Sequence, residues 1–215
     1  MRQDLVDKFG VIERLPESSL IHEASWWDVI EAVHSAGEIR IPNGSRVRFT
    51  CVPAHHFSMT NYLDLCCSLW CGWITSVDRG ANVEPFVIYH TGDTTAHLRA
   101  DREGFEPDHS RADKRIFDAI KRMFPRIDLA LLPIDPVSGE ERIHANAEQI
   151  LDLVEFLEPA CFVPMHWAPG RTTNSNGKTK YSVLYEHSRR AAKRSVELWL
   201  SERYLRLDIG QTIVF

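Results

Sequence analysis

Three observations predict a layered α/β domain for this sequence. From residue 86 onward, apolar runs of strand length alternate with amphipathic helical stretches, the pattern of parallel strands joined by helices. Three apolar runs end in a side chain able to hold a metal or move a proton, His56, Asp93 and His166, each close to a residue that interrupts a strand, Pro53, Gly92 and Pro164. The 215 residues, 44% hydrophobic and 26% charged, suffice to bury one core and argue against a disordered chain.

Taken in order, Asp4 to Phe9 reads as the last turns of a helix stopped at Gly10. That is an odd way to begin a domain, so residues 1–215 are expected to form a partial domain, incomplete on its N-terminal side. Ala24 to Asp28 is expected to be a loop or short strand whose Trp26 and Trp27 fill the core. Glu38–Ile41 and Ser45–Val52 flank Pro42-Asn43-Gly44 as the arms of a hairpin. In the second arm Val47, Phe49 and Cys51 should turn inward while Arg46, Arg48 and Thr50 face water. The aromatic and thiol-rich passage Cys66–Thr75 leads into a further strand, either folded under the core or forming one wall of an apolar pocket.

Phe86 to Tyr89 is a strand of β-branched and aromatic residues, and Gly92 lets the backbone turn sharply before Asp93. Residues 96–110 read as irregular. Arg111–Phe124 is an amphipathic helix with Ile116, Ile120 and Phe124 on one face, and Asp128–Ile134 is a buried strand. Asn146–Leu157 is a second helix, with Ile150, Leu153, Val154 and Leu157 inward, feeding the strand that ends at His166. Residues 171–180 read as a flexible loop, Tyr181–Arg194 as a helix with a basic solvated face, and Gln211–Phe215 as a last strand.

A net charge of −5 gives no electrostatic case for nucleic acid as the main partner. No apolar run reaches the roughly 20 residues of a membrane span, and the first residues lack a signal-peptide core. Five cysteines, odd in number and without framework spacing, favour a reducing compartment. The expected location is intracellular, either cytoplasmic or peripheral on an internal membrane. The cysteines themselves read as buried or loop thiols, and the sequence sets no oligomeric state.

Imidazole nitrogen and carboxylate oxygen suit zinc, and ligands delivered from separate strand ends converge without local spacing. From residue types alone, a metal half-site and a set of structural histidines both remain open.

Several segments together carry a resemblance: Pro53-Ala-His-His-Phe-Ser58, Ser68-Leu-Trp70 with Trp73, Thr91-Gly-Asp-Thr94, Asp128-Leu-Ala-Leu-Leu-Pro-Ile134, Ile143-His-Ala-Asn146 and Val163-Pro-Met-His-Trp167. In this order they resemble the metallo-β-lactamase superfamily, and within it the branch of N-acylphosphatidylethanolamine-hydrolysing phospholipase D. The match is strongest over residues 28–167. The resemblance implies an αββα sandwich with a two-zinc site and hydrolysis of a phospholipid at a membrane surface, releasing N-acylethanolamine and phosphatidic acid. It implies that His56 binds the first zinc, Asp93 bridges both, His166 binds the second, and His144 orients the phosphoryl group. Phe57, Trp70 and Trp73 would then contact the acyl chain.

The superfamily's leading signature, His-x-His-x-Asp-His, does not occur in this chain. That departure implies an incomplete or inactive phosphodiesterase. A different hydrolase of the same fold, cutting a lactone or a soluble phosphodiester, and a non-catalytic binding protein are the other readings. His55 is expected to point away from His56, and His90, His97 and His109 to lie at the surface or behind the ligands.

Overall fold

Six strands form one mixed sheet in chain order: β1 (Val29–Ala32), β2 (Arg46–Pro53), β3 (Cys71–Asp78), β4 (Phe86–His90), β5 (Leu129–Pro133) and β6 (Cys161–Met165). The structure is a computed structural model that describes residues 22, 24–32, 46–56, 70–80, 82–96, 98, 107–134, 145–165, 193, 201–205 and 212. Neighbours from β1 to β4 pair antiparallel, whereas β4, β5 and β6 pair parallel. Strands β2, β4, β5 and β6 therefore run the same way. Their carboxyl ends, and the start of the opposed β3, share one edge of the sheet.

The parallel strands need crossovers, supplied by α1 (Pro107–Met123) and α2 (Ala147–Leu157). Because the strand order advances in one direction, right-handed crossovers put both helices on the same face. The core agrees. One row across the sheet, Thr50, Ile74, Tyr89, Ala130 and Phe162, follows from the pairing register. Its apolar members Ile74, Tyr89, Ala130 and Phe162 join Phe117 and Ile120 of α1 and Ile150, Leu153, Val154 and Leu157 of α2 in one buried cluster. Each large aliphatic or aromatic side chain so buried contributes about 1.5–3 kcal/mol before ordering costs. On the opposite face Phe49, Trp73, Ile88 and Leu131 are half-buried. Of the four layers of an αββα sandwich, the described residues supply one sheet and one helical layer.

Helix α2 has a defined start: the Asn146 side chain accepts the Gln149 N–H at 2.9 Å, and the Gln149 side chain accepts the Asn146 N–H at 3.0 Å. This reciprocal cap satisfies two of the N–H groups that a helix end leaves open. At the other end Glu158 closes the helix in a left-handed conformation, φ 55°, with its N–H bonded to the Val154 carbonyl. Beside β6, Tyr204 forms a parallel bridge with Phe162, and the Leu205 N–H donates to the Phe162 carbonyl at 2.8 Å.

Several expectations need correction. Helix α1 begins at Pro107, four residues before the expected Arg111, because proline's fixed φ and missing N–H suit the first helical position even in a polar stretch. Besides β3, β2 pairs antiparallel with Val29–Ala32, with Ala32 opposite Val47. The expected hairpin arm Glu38–Ile41 and its turn lie outside the described residues, as do the helix at Asp4–Phe9 and the loop 171–180; of the expected strand Gln211–Phe215 only Thr212 is described, and it is exposed and not in a strand. Of Tyr181–Arg194 only Lys193 is described, and it is helical. Thr50, expected to be wet, is buried, since β2 is covered on both faces from Thr50 onward. The tryptophan pair divides: Trp27 packs against the core, while Trp26 is 48% exposed. Trp27 adopts a left-handed φ of 75°, held by its N–H to the Cys51 carbonyl, and this turns Trp26 outward.

Among the described residues the buried Tyr89 hydroxyl has no hydrogen-bond partner, and burial raises the phenol above its ordinary range. An orphaned buried hydroxyl costs about 1–3 kcal/mol, so Tyr89→Phe is expected to be neutral or stabilising at pH 7 by denaturant titration. The sign with pH follows from the raised value in the fold. Below about pH 10 both folded and unfolded phenols are protonated, and above it the unfolded one ionises first. Stability is therefore lost as pH rises beyond 10, and Tyr89→Phe should lose less there than the parent.

Candidate functional site

The shared sheet edge gathers the ends of β2, β4 and β5 and the start of β3. Strand β2 ends at Pro53, and the chain continues through the buried Ala54 to His55 and His56. Strand β4 ends at His90 and continues through Thr91 and Gly92 to Asp93, which is exposed. Because β3 lies between these strands, the two loops meet only if one passes over the start of β3.

They do meet. The His55 N–H donates to the Thr94 hydroxyl at 3.0 Å, and the Thr95 N–H donates to the His55 carbonyl at 2.7 Å. The Thr95 hydroxyl lies 2.8 Å from His55 Nδ1. A third segment joins them, because the Ala145 N–H, at the entry to α2, donates to the Thr94 carbonyl at 2.8 Å. Thr91, Thr94 and Thr95 are all wholly buried. Their hydroxyls are paired, as buried polar groups must be. Thr91 donates toward the Gly92 and Leu131 carbonyls, which also ties this turn to β5.

Two glycines make the crossing possible. A Cβ on Gly72 would stand 2.8 Å from the His90 carbonyl oxygen and 2.9 Å from that of Thr91. A Cβ on Gly92, whose φ is +64°, would stand 2.5 Å from the Cys71 carbonyl oxygen. Both clashes are with backbone, so no side chain could move aside. The Gly92 N–H donates to His90 Nδ1 at 3.0 Å, so the exposed His90 braces the turn that carries Asp93.

Of the residues singled out from sequence, His56 and Asp93 therefore sit on tied loops at one edge. His166 follows Met165, the last residue of β6 at the same edge, and His144 precedes the tied Ala145; both lie outside the described residues, as does Phe57. Trp70 stands just before β3 at this edge. It is half-buried, its carbonyl accepts the Trp26 Nε1–H at 2.9 Å, and the two rings meet edge to face at 6.4 Å. The Trp70 Nε1–H is buried and has no partner among the described residues. Trp73 lies one row in, opposite Cys51 and His90, and is half-buried. With the strand ended at Pro53, alternation no longer governs His55, and its ring meets the Thr95 hydroxyl. His97 and the side chain of His109 are outside the described residues.

Thr94, Thr95 and Gly72 were not foreseen as site residues. The only sequence signal was the threonine-rich Thr91–Thr95 stretch following a buried strand. Among the described residues no group of three or more His, Cys, Asp or Glu could hold a metal ion. His56 and Asp93 are two donors, and a zinc takes at least three protein ligands, so the described set does not fill a zinc site.

The residues of the Thr94 junction yield a test. Thr94→Val keeps the shape but leaves the His55 N–H unpaired, so it should lower stability by about 1–3 kcal/mol in denaturant titration. The loss should appear as faster amide exchange at His55 and Thr95 rather than in α1.

A family profile described as a beta-lactamase superfamily domain matches residues 1–167. No curated protein sequence matches the chain. Among solved structures, a point mutant of the CmlA beta-hydroxylase aligns with a TM-score of 0.51 at 11% identity, covering 93% of this chain and 34% of that one. The isothiocyanate hydrolase from Delia radicum gut bacteria aligns at 0.43 and 15%, covering 79% and 55%. A possible metal-dependent hydrolase from Veillonella parvula aligns at 0.43 and 16%, covering 80% and 55%. At such identities the likeness is one of fold alone. The chain spans about half the length, or less, of these structures.

Proposed function

Because the chain belongs to the metallo-β-lactamase superfamily, we propose that its tied sheet edge is part of a two-zinc phosphodiesterase site of the N-acylphosphatidylethanolamine phospholipase D type. The observation that carries this reading is the junction itself. Two loops from strands that are not neighbours are hydrogen-bonded to each other and to the entry of α2, and each presents one donor, His56 or Asp93. Asp93 is exposed on a turn whose threonines are buried, which leaves its carboxylate within reach of an incoming ligand.

In this reading Asp93 is the bridging carboxylate, His56 and His166 bind one zinc each, and His144 holds a phosphoryl oxygen by hydrogen bond. Trp70, Trp73 and Phe57 form an apolar wall for an acyl chain, so the substrate is a phospholipid and the products are N-acylethanolamine and phosphatidic acid. No helix among the described residues is long and apolar enough to cross a membrane. Contact with lipid in an intracellular setting is accordingly proposed as peripheral. The missing His-x-His-x-Asp-His signature favours a second reading for this 215-residue chain, a binding protein that keeps the fold without turnover.

Zinc content after dialysis and hydrolysis of N-acylphosphatidylethanolamine test these assignments. The 215-residue chain should retain well under one equivalent of zinc and show no appreciable turnover. Residual zinc affinity, measured against a chromophoric chelator, should fall further in Asp93→Asn. Two tightly held zincs with full activity would overturn the incomplete-site reading, and unchanged zinc affinity in Asp93→Asn would overturn the role given to that carboxylate.

The apolar wall has its own check. Replacing Trp70 and Trp73 with serine should weaken sedimentation with phospholipid vesicles while leaving the unfolding midpoint little changed. A large loss of stability with vesicle binding intact would assign both indoles to the core.

A further inference from the structure

We propose that Cys51 and Cys71 form a reversible disulfide, a modification site closed by a small-molecule disulfide such as oxidised glutathione, and that its closure displaces the turn carrying Asp93. In the β2–β3 ladder Cys51 faces Trp73 and Pro53 faces Cys71. The two cysteines are thus two positions apart on the same face of the sheet.

Hydrogen bonding shows which kind of position they occupy. The Cys51 N–H donates to the Asp28 carbonyl at 2.9 Å and its carbonyl accepts from Trp27 at 2.6 Å, so both groups point toward β1. Toward β3, Cys51 is therefore at a non-hydrogen-bonded position, and by alternation so is the Pro53–Cys71 pair. Facing Cα atoms at such positions come to about 4.5 Å. Both thiols are free, and Cys71 is near enough to perturb the Cys51 thiol.

Their surroundings divide the work between them. Cys71 is partly exposed at the first position of β3, whereas Cys51 is 1% exposed. The Cys71 thiolate attacks the small disulfide, forming a mixed disulfide and releasing one small thiol. The Cys51 sulfur then attacks the Cys71 sulfur, and its proton leaves on the second small thiol. Two protein thiols lose two electrons and two protons, and one small disulfide becomes two thiols. Burial, and after it the neighbouring Cys71, pushes the Cys51 thiol up to about 12, which makes the second step the slow one.

Closure has to move something. Diagonal neighbours in a ladder hold their Cβ atoms further apart than the roughly 3.8 Å of a disulfide. Cys51 is pinned to β1 by two hydrogen bonds, so Cys71, at a strand end, is the partner that shifts. Its carbonyl oxygen lies 2.5 Å from where a Gly92 Cβ would stand. Drawing Cys71 toward β2 withdraws the surface against which the Gly92–Asp93 turn is seated.

The test needs neither metal nor turnover, so it stands apart from the proposed activity. The 215-residue protein is equilibrated in glutathione buffers of graded oxidation, alkylated, digested without reduction and mapped by mass spectrometry. A linked peptide pair containing Cys51 and Cys71 is expected, two hydrogens lighter than the separate peptides, with amide exchange at Gly92–Thr94 several-fold faster in the oxidised form. Cys71→Ser, checked for folding by circular dichroism, should abolish both responses. Absence of the link in the most oxidising buffer, or linkage of either residue to Cys66, Cys67 or Cys161 instead, overturns the site. A link that leaves exchange at Gly92–Thr94 unchanged overturns its coupling to the turn.

Discussion

The position of everything at the working edge depends on the hydrogen bonds of Thr94. Its hydroxyl receives the His55 N–H and its carbonyl receives the Ala145 N–H, so one wholly buried residue joins the exits of β2 and β4 to the entry of α2. Strand direction alone aims these segments at a common edge; it does not set their spacing. Spacing comes from short bonds between loops, made in a buried setting where leaving any of them unmade would carry the full desolvation cost.

The junction also explains why two glycines occur where they do. Strand β3 separates the two loops, and the chain leaving β4 must lie over its first residues to reach His55 and Thr95. It does so at distances that admit backbone but no Cβ, at Gly72 and again at Gly92. The same crossing brings the Cys71 carbonyl against the Asp93 turn. A feature of β-sheet packing thereby becomes a mechanical connection between a pair of thiols and a proposed ligand.

Much of the scaffold was legible in sequence because its signals are local. The apolar runs at Phe86–Tyr89 and 128–134 and the helical periodicity of 146–157 each report on their own residues, and the structure places strands or a helix there. The common edge could be inferred from strand ends, since Pro53 and Gly92 mark where side-chain alternation ceases. Long-range pairing was less accessible. Val29–Ala32 is a four-residue edge strand with weak alternation, and only its ladder with β2 identifies it. Thr50 and Trp26 were misjudged because burial depends on what covers a face, which local polarity does not report. The contact of the His55 ring with Thr95 required knowing that β2 stops two residues earlier. Gly72 did not stand out within the Cys66–Thr75 passage because its constraint comes from the chain leaving β4, on a different part of the sequence.

The reciprocal cap at Asn146 and the bond from Ala145 to Thr94 fix where the chain arrives at α2, and Ile134 is fixed by its N–H to the Met165 carbonyl. Both ends of the connecting stretch are therefore anchored independently of its length. Lengthening a connection between fixed ends costs only about 0.6 kcal/mol for each doubling. A change of length between these anchors would thus cost the sheet edge little, because the bonds that seat the edge belong to Thr94, Ala145, Asn146 and Ile134.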